Sequence, residues 1–596
     1  MTRCSHGWAG SILRVDLSTG KLSTEPTWDY VQRFVGGRGL DQWVLFRELS
    51  PDTDPMGPDN RVILSTGPLT GTFAPGSGRL SAGWKNPQTG GVGSANGGGH
   101  FASELKFAGF DAVIIQGTAE RPVYLLIEDG GCRIVDARHL WGRDVWETED
   151  ALRAELGNPQ LRVASIGPAG EHQVLGAALL IDRSRAVGRG GIGAVLGSKK
   201  LKAIAVRGSR PVTVCQPQLF FDECLRAFEK LRTTTSLAYY RMGGTLTGIA
   251  GRHSASCVRN HQAPPWEEER VQHLHWTVFR DRYEVRRFGC FNCPISCSHY
   301  FRVEDGPYRG TEGEGLELNA IRGLGQNFDI DNPAFVIQAN TACNRLGLDV
   351  DFVASTLGWA FECYDRGLLG PRDTDGMELV WGNEAAVLRM IEMLARREGI
   401  GDLLADGPML AARTLGAGAL QRALCVKGAP INEARMRQDK AWALGICAAS
   451  RGGGHLEGAP FTSVLREQLT PELSMDLFGV LDIGDAGEYE HKERVVFWQE
   501  RIKAITDCLG VCYFLVQWLG LDLLNLGELA RLFAKATGFE MGAEDLMLVG
   551  QRVRNVERAF NILHAKFGRG DDQPPVRFMT ERIPGGPDAG AILKRR

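Results

Sequence analysis

Short apolar runs recur along the first third of the chain. Apolar and polar residues alternate over residues 11–17, and this run ends at a turn formed by residues 18–20. Further apolar runs, bounded by glycine, proline or charged residues, lie at residues 61–65, 111–115, 123–127 and 202–207. Runs of this length and composition are typical of strands. The pattern predicts a β-rich region over residues 1 to 212, with glycine-rich loops between the strands.

The hydrophobic period changes after residue 215. Apolar residues now recur every three or four positions, as they do on one face of an α-helix. Glycine and proline, for example in residues 367–371, supply stop signals between these segments. The predicted helices cover residues 219–231, 333–345, 352–366, 384–398, 410–423 and 526–537. The chain is therefore predicted to be an α+β protein, with a β-rich N-terminal part and a largely helical remainder.

Composition narrows the class of protein. The chain has 596 residues, which corresponds to about three or four domains. Because 68 Lys and Arg residues face 71 Asp and Glu residues, the net charge is −3, and nucleic acid is not an expected partner. The 14 cysteines are expected to be reduced thiols and metal ligands. Since the N-terminus also lacks an apolar signal segment, we expect a cytoplasmic protein.

Membrane insertion is not expected either. A spanning helix needs about 18 or more consecutive apolar residues, and no stretch of the chain has them. The nearest case, residues 510–521, is short and ends at Asp522. We expect this segment to be a buried helix.

Three cysteines lie close together in the run Cys290-Phe-Asn-Cys293-Pro-Ile-Ser-Cys297. A structural zinc site would favour paired Cys-x2-Cys units, and the radical-SAM motif has the two spacings in the reverse order. A [4Fe–4S] cluster takes four thiolates and does not require one fixed spacing. The fourth ligand is expected to be Cys512, with Cys508 as the alternative. The triplet therefore predicts an iron–sulfur cluster that joins distant parts of the chain.

Glycine is abundant, with 75 residues, and much of it lies in short motifs. Glycine together with arginine suits phosphate binding, because backbone N–H groups and the guanidinium group both donate to phosphate oxygens. A dinucleotide fold is disfavoured, because no acidic residue follows about 20 residues after the longest run. The motifs lie at residues 36–39, 67–72, 76–79, 94–99 and 185–202. They predict a large phosphorylated ligand, and with the cysteine triplet they indicate a redox enzyme.

These motifs together resemble the aldehyde:ferredoxin oxidoreductase family, the tungsten-pterin enzymes. The resemblance extends over nearly the whole chain. Besides the glycine and cysteine motifs, it rests on residues 106–111, 166–171, 450–455, 558–561 and 570–574. It implies a β-rich base domain at residues 1–212 that binds two pterins. It also implies two largely α-helical domains, at residues 213–424 and 425–596.

The resemblance also implies the cofactors. Two pterin dithiolenes would hold one tungsten (molybdenum is the alternative), and Mg²⁺ would bridge the pterin phosphates beside a [4Fe–4S] cluster. By motif position, Arg79 would meet a pterin phosphate. Asn96 and Ala186 would offer backbone carbonyls to the magnesium, which prefers oxygen ligands. Gly188 and Arg189 lie in the long glycine run of the same cofactor site.

Two further pterin motifs have the form Asp-x-x-Gly-Leu in the family. The corresponding segments contribute Asn344, Gly347, Leu348, Asp507, Gly510 and Val511. The second segment keeps the aspartate, whereas the first has asparagine in its place. An amide can still bond to a pterin ring, but with a different donor and acceptor pattern.

The resemblance places the catalytic groups in two other segments. The active-site glutamate of the family corresponds to Glu314 by spacing, with Glu317 as the second choice, and the active-site histidine corresponds to His455. Some members carry a Glu-x-x-His iron site between subunits, and no such pair stands at the corresponding place in this chain. The pair Glu488 and His491 lies in a charged segment elsewhere and is expected to be exposed. The subunit contact of those members is therefore not predicted.

The predicted function is oxidation of an aldehyde to a carboxylic acid, with electrons leaving through the cluster to ferredoxin or an iron–sulfur partner subunit. The chain would then act as a homodimer or within a hetero-oligomer. One alternative keeps the cofactors but reduces an activated aromatic acid, because residues 244–269, with His253, Cys257, His261 and Trp266, do not match the aldehyde enzymes. A second alternative is a non-catalytic electron-transfer subunit of a larger complex.

Overall fold

The computed structural model describes residues 6–249 and 257–594, and its N-terminal part is built on two sheets. The strands are β1 (Ser11–Asp16), β2 (Lys21–Pro26), β3 (Val62–Ser65), β4 (Leu80–Lys85), β5 (Val92–Gly97), β6 (Ala112–Gln116), β7 (Val123–Glu128), β8 (Gly131–Asp136), β9 (Arg162–Ser165), β10 (Leu179–Ile181), β11 (Arg185–Val187) and β12 (Leu201–Arg207). The first sheet has the order β2-β1-β6-β3-β4-β5, and the second β11-β10-β9-β12-β7-β8. Only the β1–β6 and β7–β12 pairs are parallel among the pairings of the described residues in these two sheets.

One apolar core joins the two sheets. Val15, Leu64 and Ile115 of the first sheet belong to the same buried cluster as Leu125 and Ile204 of the second. Burial on this inner face explains the short apolar runs in the sequence. Helices cover the sheets and fill the connections: α1 (Trp28–Phe34), α2 (Gly37–Glu48), α3 (Phe101–Phe107), α4 (Val145–Glu155), α5 (Pro168–Glu171) and α6 (Ile192–Ser198).

Helices dominate the remainder of the chain. They are α7 (Pro217–Thr233), α8 (Ser236–Gly243), α9 (Val258–His261), α10 (Glu268–Val271), α11 (Trp276–Arg282), α12 (Leu318–Ala320), α13 (Pro333–Leu346), α14 (Val350–Asp365), α15 (Glu384–Arg396), α16 (Ile400–Ala405), α17 (Pro408–Leu415), α18 (Ala417–Leu420), α19 (Lys440–Ala448), α20 (Thr462–Gln468), α21 (Pro471–Phe478), α22 (Lys492–Leu509), α23 (Leu526–Thr537), α24 (Ala543–His564) and α25 (Val576–Thr580). The prediction of an α+β protein with a β-rich N-terminal part is confirmed.

Two small sheets interrupt the helical part. The first contains β13 (Glu284–Phe288), β14 (Ser298–Arg302) and β15 (Glu312–Glu314), all antiparallel. The cysteine triplet lies in the loop between β13 and β14, so the hairpin fixes both ends of that loop. The second sheet pairs β16 (Cys425–Val426) with β17 (Ala429–Pro430).

Two predicted helices differ in the structure. The segment 410–423 is not one helix, because α17 ends before Gly416, whose φ of +94° belongs to the left-handed region. The segment 510–521 was expected to be a buried helix and is instead a loop with one 3₁₀ turn at Tyr513–Leu515. Among the described residues, no helix has the length and apolar content needed to cross a membrane.

A buried arginine ties the start of the chain to its last helices. Arg38, near the start of α2, lies 2.7 Å from Glu557 of α24 through its Nε atom. Its Nη atoms lie 3.0 Å from Glu457 and 3.4 Å from Asp507 of α22. All four side chains are buried. One guanidinium group therefore bridges carboxylates from three C-terminal segments and holds them against the N-terminal part, with Lys503 and Arg554 supplying further positive charge.

Candidate functional site

A cavity of about 520 Å³ lies where the N-terminal sheets meet the helical part. Its wall combines cysteines, cations, carboxylates and aromatic rings. The residues from the sequence prediction that line it are Arg79, Asn96, Ala186, Gly188, Arg189, Cys290, Cys293, Cys297, Glu317, Asn344, Leu348, His455, Asp507 and Cys512. Segments that are hundreds of residues apart in the sequence therefore form one site.

The four predicted cluster cysteines all reach this cavity. Cys290, Cys293 and Cys297 come from the β13–β14 loop, and Cys512 follows the C-terminal end of α22. The alternative ligand, Cys508, is fully buried inside α22, and Gly39 is packed against it. The structure thus brings Cys512 to the triplet and leaves Cys508 in the apolar core.

The four cysteines are half-buried, and burial disfavours the ionised thiolate form of a cysteine. Burial raises the pKa of Cys512 to about 12, with Arg79 opposing this shift. Burial and the neighbouring Cys290 also raise the pKa of Cys293. Bound metal ions would supply the positive charge that such thiolates need. Among the described residues, no three His, Cys, Asp or Glu side chains converge tightly enough to hold a single ion. A four-iron cluster takes one thiolate at each iron and does not require that convergence.

Glycines bring the N-terminal domain close to these cysteines. A Cβ atom on Gly98 would lie 2.7 Å from Cys290 Sγ and 3.0 Å from Arg79 Nη1. A Cβ atom on Gly76 would lie 3.1 Å from Cys512 Cβ. Since a real Cβ essentially never makes a contact of 2.7 Å, the glycine at position 98 keeps space free beside the thiol.

Arg79 and Asn96 link the cysteines to the second pterin motif. Arg79 donates to Asn96 Oδ1, and Asn96 Nδ2 donates to Asp507 Oδ1 at 3.0 Å. Asp507 also pairs with Lys503. The Nε atom of Arg79 is buried and has no hydrogen-bond partner among the described residues. An unsatisfied buried donor of this kind fits a site built for an anionic ligand.

Arg189 forms a similar position on the other side of the cavity. Its backbone N–H donates to Asp349 at 2.9 Å, and its Nη1 atom lies 3.1 Å from Asp351. Its Nη2 atom, like Nε of the nearby Arg451, is buried without a partner within the described ranges. Three cavity arginines therefore retain donors for phosphate or pterin groups. Ala186 and Gly188 line the same wall.

The two pterin motifs are built alike. Each lies at the C-terminal end of a helix, α13 or α22, and each helix is capped by a left-handed glycine: Gly347 with a φ of +75° and Gly510 with a φ of +79°. The last turns press against glycines of the N-terminal domain, where a Cβ on Gly167 or Gly67 would collide with helix backbone. Asn344, Leu348 and Asp507 thereby face the cavity, while the capping glycines and Val511 pack behind it.

The two candidate glutamates lie in different spaces. Glu314, at the end of β15, lines an open neighbouring groove of about 1230 Å³ and pairs with Arg185. Glu317 lies in the cavity and accepts a hydrogen bond from Thr245. Burial raises the pKa of Glu317, with the Thr245 hydrogen bond and the charge of Arg185 opposing that shift. Of the two candidates, only Glu317 therefore lines the cavity that holds the cysteines and His455.

His455 stands on the cavity wall with a carboxylate behind it. Its Nδ1 atom lies 2.8 Å from Glu433 Oε1, and its ring stacks on Trp442 with centroids 5.1 Å apart. Although burial opposes ionisation of Glu433, the charge and hydrogen bond of His455 lower its pKa. Sequence reasoning missed Glu433, because it lies 22 residues away in a loop without a motif.

The unmatched segment 244–269 contributes to the cavity through its first residues. Thr245, Thr247 and Gly248 line it, whereas Cys257, His261 and Trp266 do not. Cys257 Sγ lies 3.5 Å from Gln326 Oε1, and Arg270 covers the Trp266 ring. His253 lies outside the described residues. Glu488 is exposed, as the sequence predicts, and the ion pair of His491 is with Glu490.

Comparisons with known proteins cover the whole chain. A family model described as the N-terminal domain of aldehyde ferredoxin oxidoreductase matches residues 12–208, and one described as domains 2 and 3 matches residues 222–596. The chain is 36% identical over 595 residues to the tungsten-containing aldehyde ferredoxin oxidoreductase of Pyrococcus furiosus, covering 99% of this chain and 94% of that protein. The same organism has an "Aliphatic sulfonate oxidoreductase, WOR-like subunit" that is 28% identical over 623 residues, with coverages of 99% and 92%.

A solved structure shares the fold. It is the active-site complex BamBC of benzoyl coenzyme A reductase, in complex with 1,5-dienoyl-CoA. The TM-score is 0.82 at 26% identity, and the match covers 96% of this chain and 91% of that chain. Proteins that are similar to this chain are therefore named after more than one reaction.

Proposed function

This chain belongs to the aldehyde ferredoxin oxidoreductase family, and we propose that it oxidises an aldehyde to a carboxylic acid with a tungsten-pterin cofactor. The observation that carries the proposal is the single cavity that joins four cysteines to Glu317 and His455. Electrons would leave through a [4Fe–4S] cluster to ferredoxin or to an iron–sulfur partner subunit. The Pyrococcus furiosus relative named as a tungsten enzyme supports tungsten over molybdenum.

The residues of the cavity fit the cofactors. Cys290, Cys293, Cys297 and Cys512 would hold the cluster, and Arg79, Arg189 and Arg451 would bind anionic groups of two pterins through their unsatisfied donors. Asn344 and Asp507 would bond to the pterin rings, and the backbone carbonyls of Asn96 and Ala186 would bind Mg²⁺. When bound, the tungsten centre supplies two-electron redox chemistry, and the cluster takes up electrons singly.

Glu317 is the proposed base. The net reaction converts an aldehyde and water to a carboxylic acid, two protons and two electrons, so a proton acceptor must stand beside the reacting carbon. Thr245 Oγ1 accepts the Leu318 N–H at 3.0 Å and donates its own proton to Glu317. This fixed donor holds the Glu317 carboxylate in place. Burial raises the pKa of Glu317 toward the range in which a carboxylate is an effective base.

His455 is the proposed donor to the substrate oxygen. Glu433 occupies Nδ1, which leaves Nε2 for the cavity. A hydrogen bond from Nε2 would stabilise the negative charge that develops on the aldehyde oxygen when the carbonyl carbon becomes tetrahedral. The buried Glu433 accepts from Nδ1 and fixes the orientation of the ring, and donation from Nε2 would use the second ring proton.

The proposed electron transfer also indicates the partner protein and the compartment of the enzyme. A ferredoxin or an iron–sulfur partner subunit would collect the electrons in the cytoplasm. The Pyrococcus furiosus relative named as a subunit supports a hetero-oligomer, with a homodimer as the alternative. We also propose that the three domains meet at residues 212 and 424.

The test is an assay of anaerobically purified enzyme whose tungsten, molybdenum and iron contents have been measured. We expect reduction of a viologen dye with several aldehydes, and tungsten and iron at about one and four atoms per chain. Metal-loaded enzyme that reduces no viologen with any aldehyde would overturn the proposal. Activity only toward an aryl-CoA thioester would favour the aromatic reductase, and the absence of any turnover would favour the electron-transfer subunit.

A further inference from the structure

Aromatic rings form a continuous arc along one wall of the cavity. Tyr240 contacts Phe514 with ring centroids 5.2 Å apart, and Phe514 lies 6.3 Å from Trp518. Trp518 lies 6.0 Å from Phe461. Phe461 lies 4.9 Å from Trp442, which stacks on the catalytic candidate His455. Each of these rings lines the cavity, so the arc is a wall of the site and not only a part of the apolar core.

The arc connects the two proposed catalytic groups. Its first ring, Tyr240, belongs to helix α8, which directly precedes the turn that holds Thr245, the donor to Glu317. Its last ring stacks on His455. The cysteines and the arginines line the same cavity, and Phe514 follows Cys512 by two residues. A substrate whose carbonyl reaches both Glu317 and His455 therefore has the arc beside the rest of its structure.

The composition of the arc points to a planar ring. Aliphatic side chains would shelter an alkyl chain equally well, because the hydrophobic effect has no directional preference. Aromatic rings add edge-to-face and offset-stacked contacts that only another ring can use fully. The arc itself already contains both geometries: Trp518 and Phe461 cross at 75°, and Trp442 and His455 stack at 16°.

We propose that the arc binds the ring of an aryl-substituted aldehyde and makes the enzyme selective for such substrates over alkyl aldehydes of equal size. This inference rests on the proposed function. Phe461 and Phe514 are the rings to which we assign the selectivity. Tyr513, another cavity ring, contacts Phe514 and Trp518 but is already covered by Arg79 at 5.1 Å and Lys503 at 4.9 Å.

The test compares phenylacetaldehyde with cyclohexylacetaldehyde. The two have the same carbon skeleton, and a CH₂ group insulates the carbonyl from the ring in both, so their intrinsic reactivities are similar. We expect the wild-type enzyme to favour phenylacetaldehyde by about tenfold in kcat/KM, which is the upper effect of one aromatic pair. The corresponding carboxylates, phenylacetate and cyclohexylacetate, serve as ligands in a binding measurement that needs no turnover.

Two variants and one control locate the effect. Phe461→Leu and Phe514→Leu keep an apolar side chain but remove a ring, and each should reduce the preference about threefold to tenfold. Phe497→Leu removes an exposed ring of α22 that does not line the cavity, and it should leave the preference unchanged. Tungsten and iron contents are measured for every variant, so that loss of cofactor is not mistaken for loss of selectivity.

The outcomes separate this inference from the proposed function. If both aldehydes are oxidised with equal kcat/KM, and neither variant changes the ratio, the arc does not select aryl substrates, although the enzyme is still an aldehyde oxidoreductase. If metal-loaded enzyme oxidises neither these two nor any other aldehyde, the proposed function fails. In that case, tighter binding of phenylacetate than of cyclohexylacetate, lost in Phe514→Leu, would still support the arc, and equal binding would overturn it.

Discussion

Arg185 Nη2 lies 2.5 Å from Glu314 Oε1, and this ion pair keeps the Glu314 carboxylate in the outer groove, away from the cavity. Glu317, three residues later, lies in the cavity instead. The strand β15 ends at Glu314, and the next helix begins after Glu317, so the two side chains leave the backbone in different directions. Because Glu314 is already paired and Glu317 lines the cavity, we propose Glu317 as the base.

Replacing Glu317 should therefore stop the reaction. We expect Glu317→Gln to lower kcat about 100- to 10,000-fold, the usual contribution of a positioned base, with tungsten and iron contents unchanged. Glu314→Gln is the matched control and should lower kcat less than tenfold. Steady-state kinetics with viologen, normalised to tungsten, provide the comparison. A larger loss of kcat in Glu314→Gln than in Glu317→Gln would instead identify Glu314 as the base.

Cluster content should depend on Cys512 and not on Cys508. Cys512 shares the cavity with the triplet, whereas Cys508 is buried inside α22, where burial raises the pKa of its thiol. We expect Cys512→Ala to lose most of the iron and sulfide and the cluster's EPR signal. Cys508→Ala should retain both. Full iron in Cys512→Ala would contradict the assignment.

A single methyl group at position 98 should disturb the same cluster. The Cβ atom of Gly98→Ala would lie 2.7 Å from Cys290 Sγ, so the thiol or the strand must shift. We predict a reduced iron content and an altered EPR spectrum. Gly570→Ala, where a Cβ atom would have no neighbour within 4 Å among the described residues, is the control. Equal iron contents in the two variants would show that the cluster site tolerates the shift.

Removing the Arg38 guanidinium should destabilise the whole protein. Arg38→Met leaves buried carboxylates at Glu457, Asp507 and Glu557 without this partner, a change that typically costs about 3–5 kcal/mol. Arg133→Met removes an exposed ion pair with Glu128 in the second sheet and should cost about 1 kcal/mol or less. Chemical denaturation of both variants measures the difference, and equal losses would argue against the Arg38 network.

The buried His261 should make the protein sensitive to acid. Burial, together with the charges of Arg437 and Arg577, lowers its pKa to about 3 in the folded state. The unfolded chain takes up the proton at pH values below about 6.5, so it binds more protons than the folded protein does. Stability from this residue is present above about pH 6.5. It falls by up to about 1.4 kcal/mol per pH unit as the pH decreases toward 3.

A variant isolates this contribution. His261 has a φ of +63°, and asparagine tolerates that left-handed conformation better than most residues do. The free energy of unfolding of His261→Asn should therefore change less between pH 6.5 and pH 4 than that of the wild type. Urea denaturation at several pH values measures both. Parallel curves would mean that His261 is protonated in the folded state.

Hydrophobic periodicity predicted most of the secondary structure, and its failures have identifiable causes. The runs at 61–65 and 123–127 are β3 and β7, and the periodic segment 384–398 is α15. The segment 410–423 failed because one glycine stops the helix. The segment 510–521 failed because its apolar residues line a cavity as a loop, and a short apolar run does not distinguish a loop of this kind from a helix.

The sequence predicted those residues of the site that belong to motifs. It could not predict the residues that only tertiary contacts bring to the site. The cysteine spacing and the glycine runs predicted Cys290, Arg79 and their partners in the cavity as site residues. The sequence could not show that Glu317, and not Glu314, lines the cavity, because this depends on where β15 ends. Glu433 could not be predicted either, since only the fold brings it to His455.

The Arg38 network also sets an order of events during synthesis. Its carboxylate partners Glu457 and Glu557 follow it by 419 and 519 residues. At about 5–20 residues per second, the ribosome needs roughly 25 to 100 seconds to make the chain between Arg38 and Glu557. Among the described residues, the last one that lines the cavity is Trp518, so the cavity can be complete only after most of the chain has been made. Arg38 therefore meets Glu557 only after every described cavity residue has been synthesised.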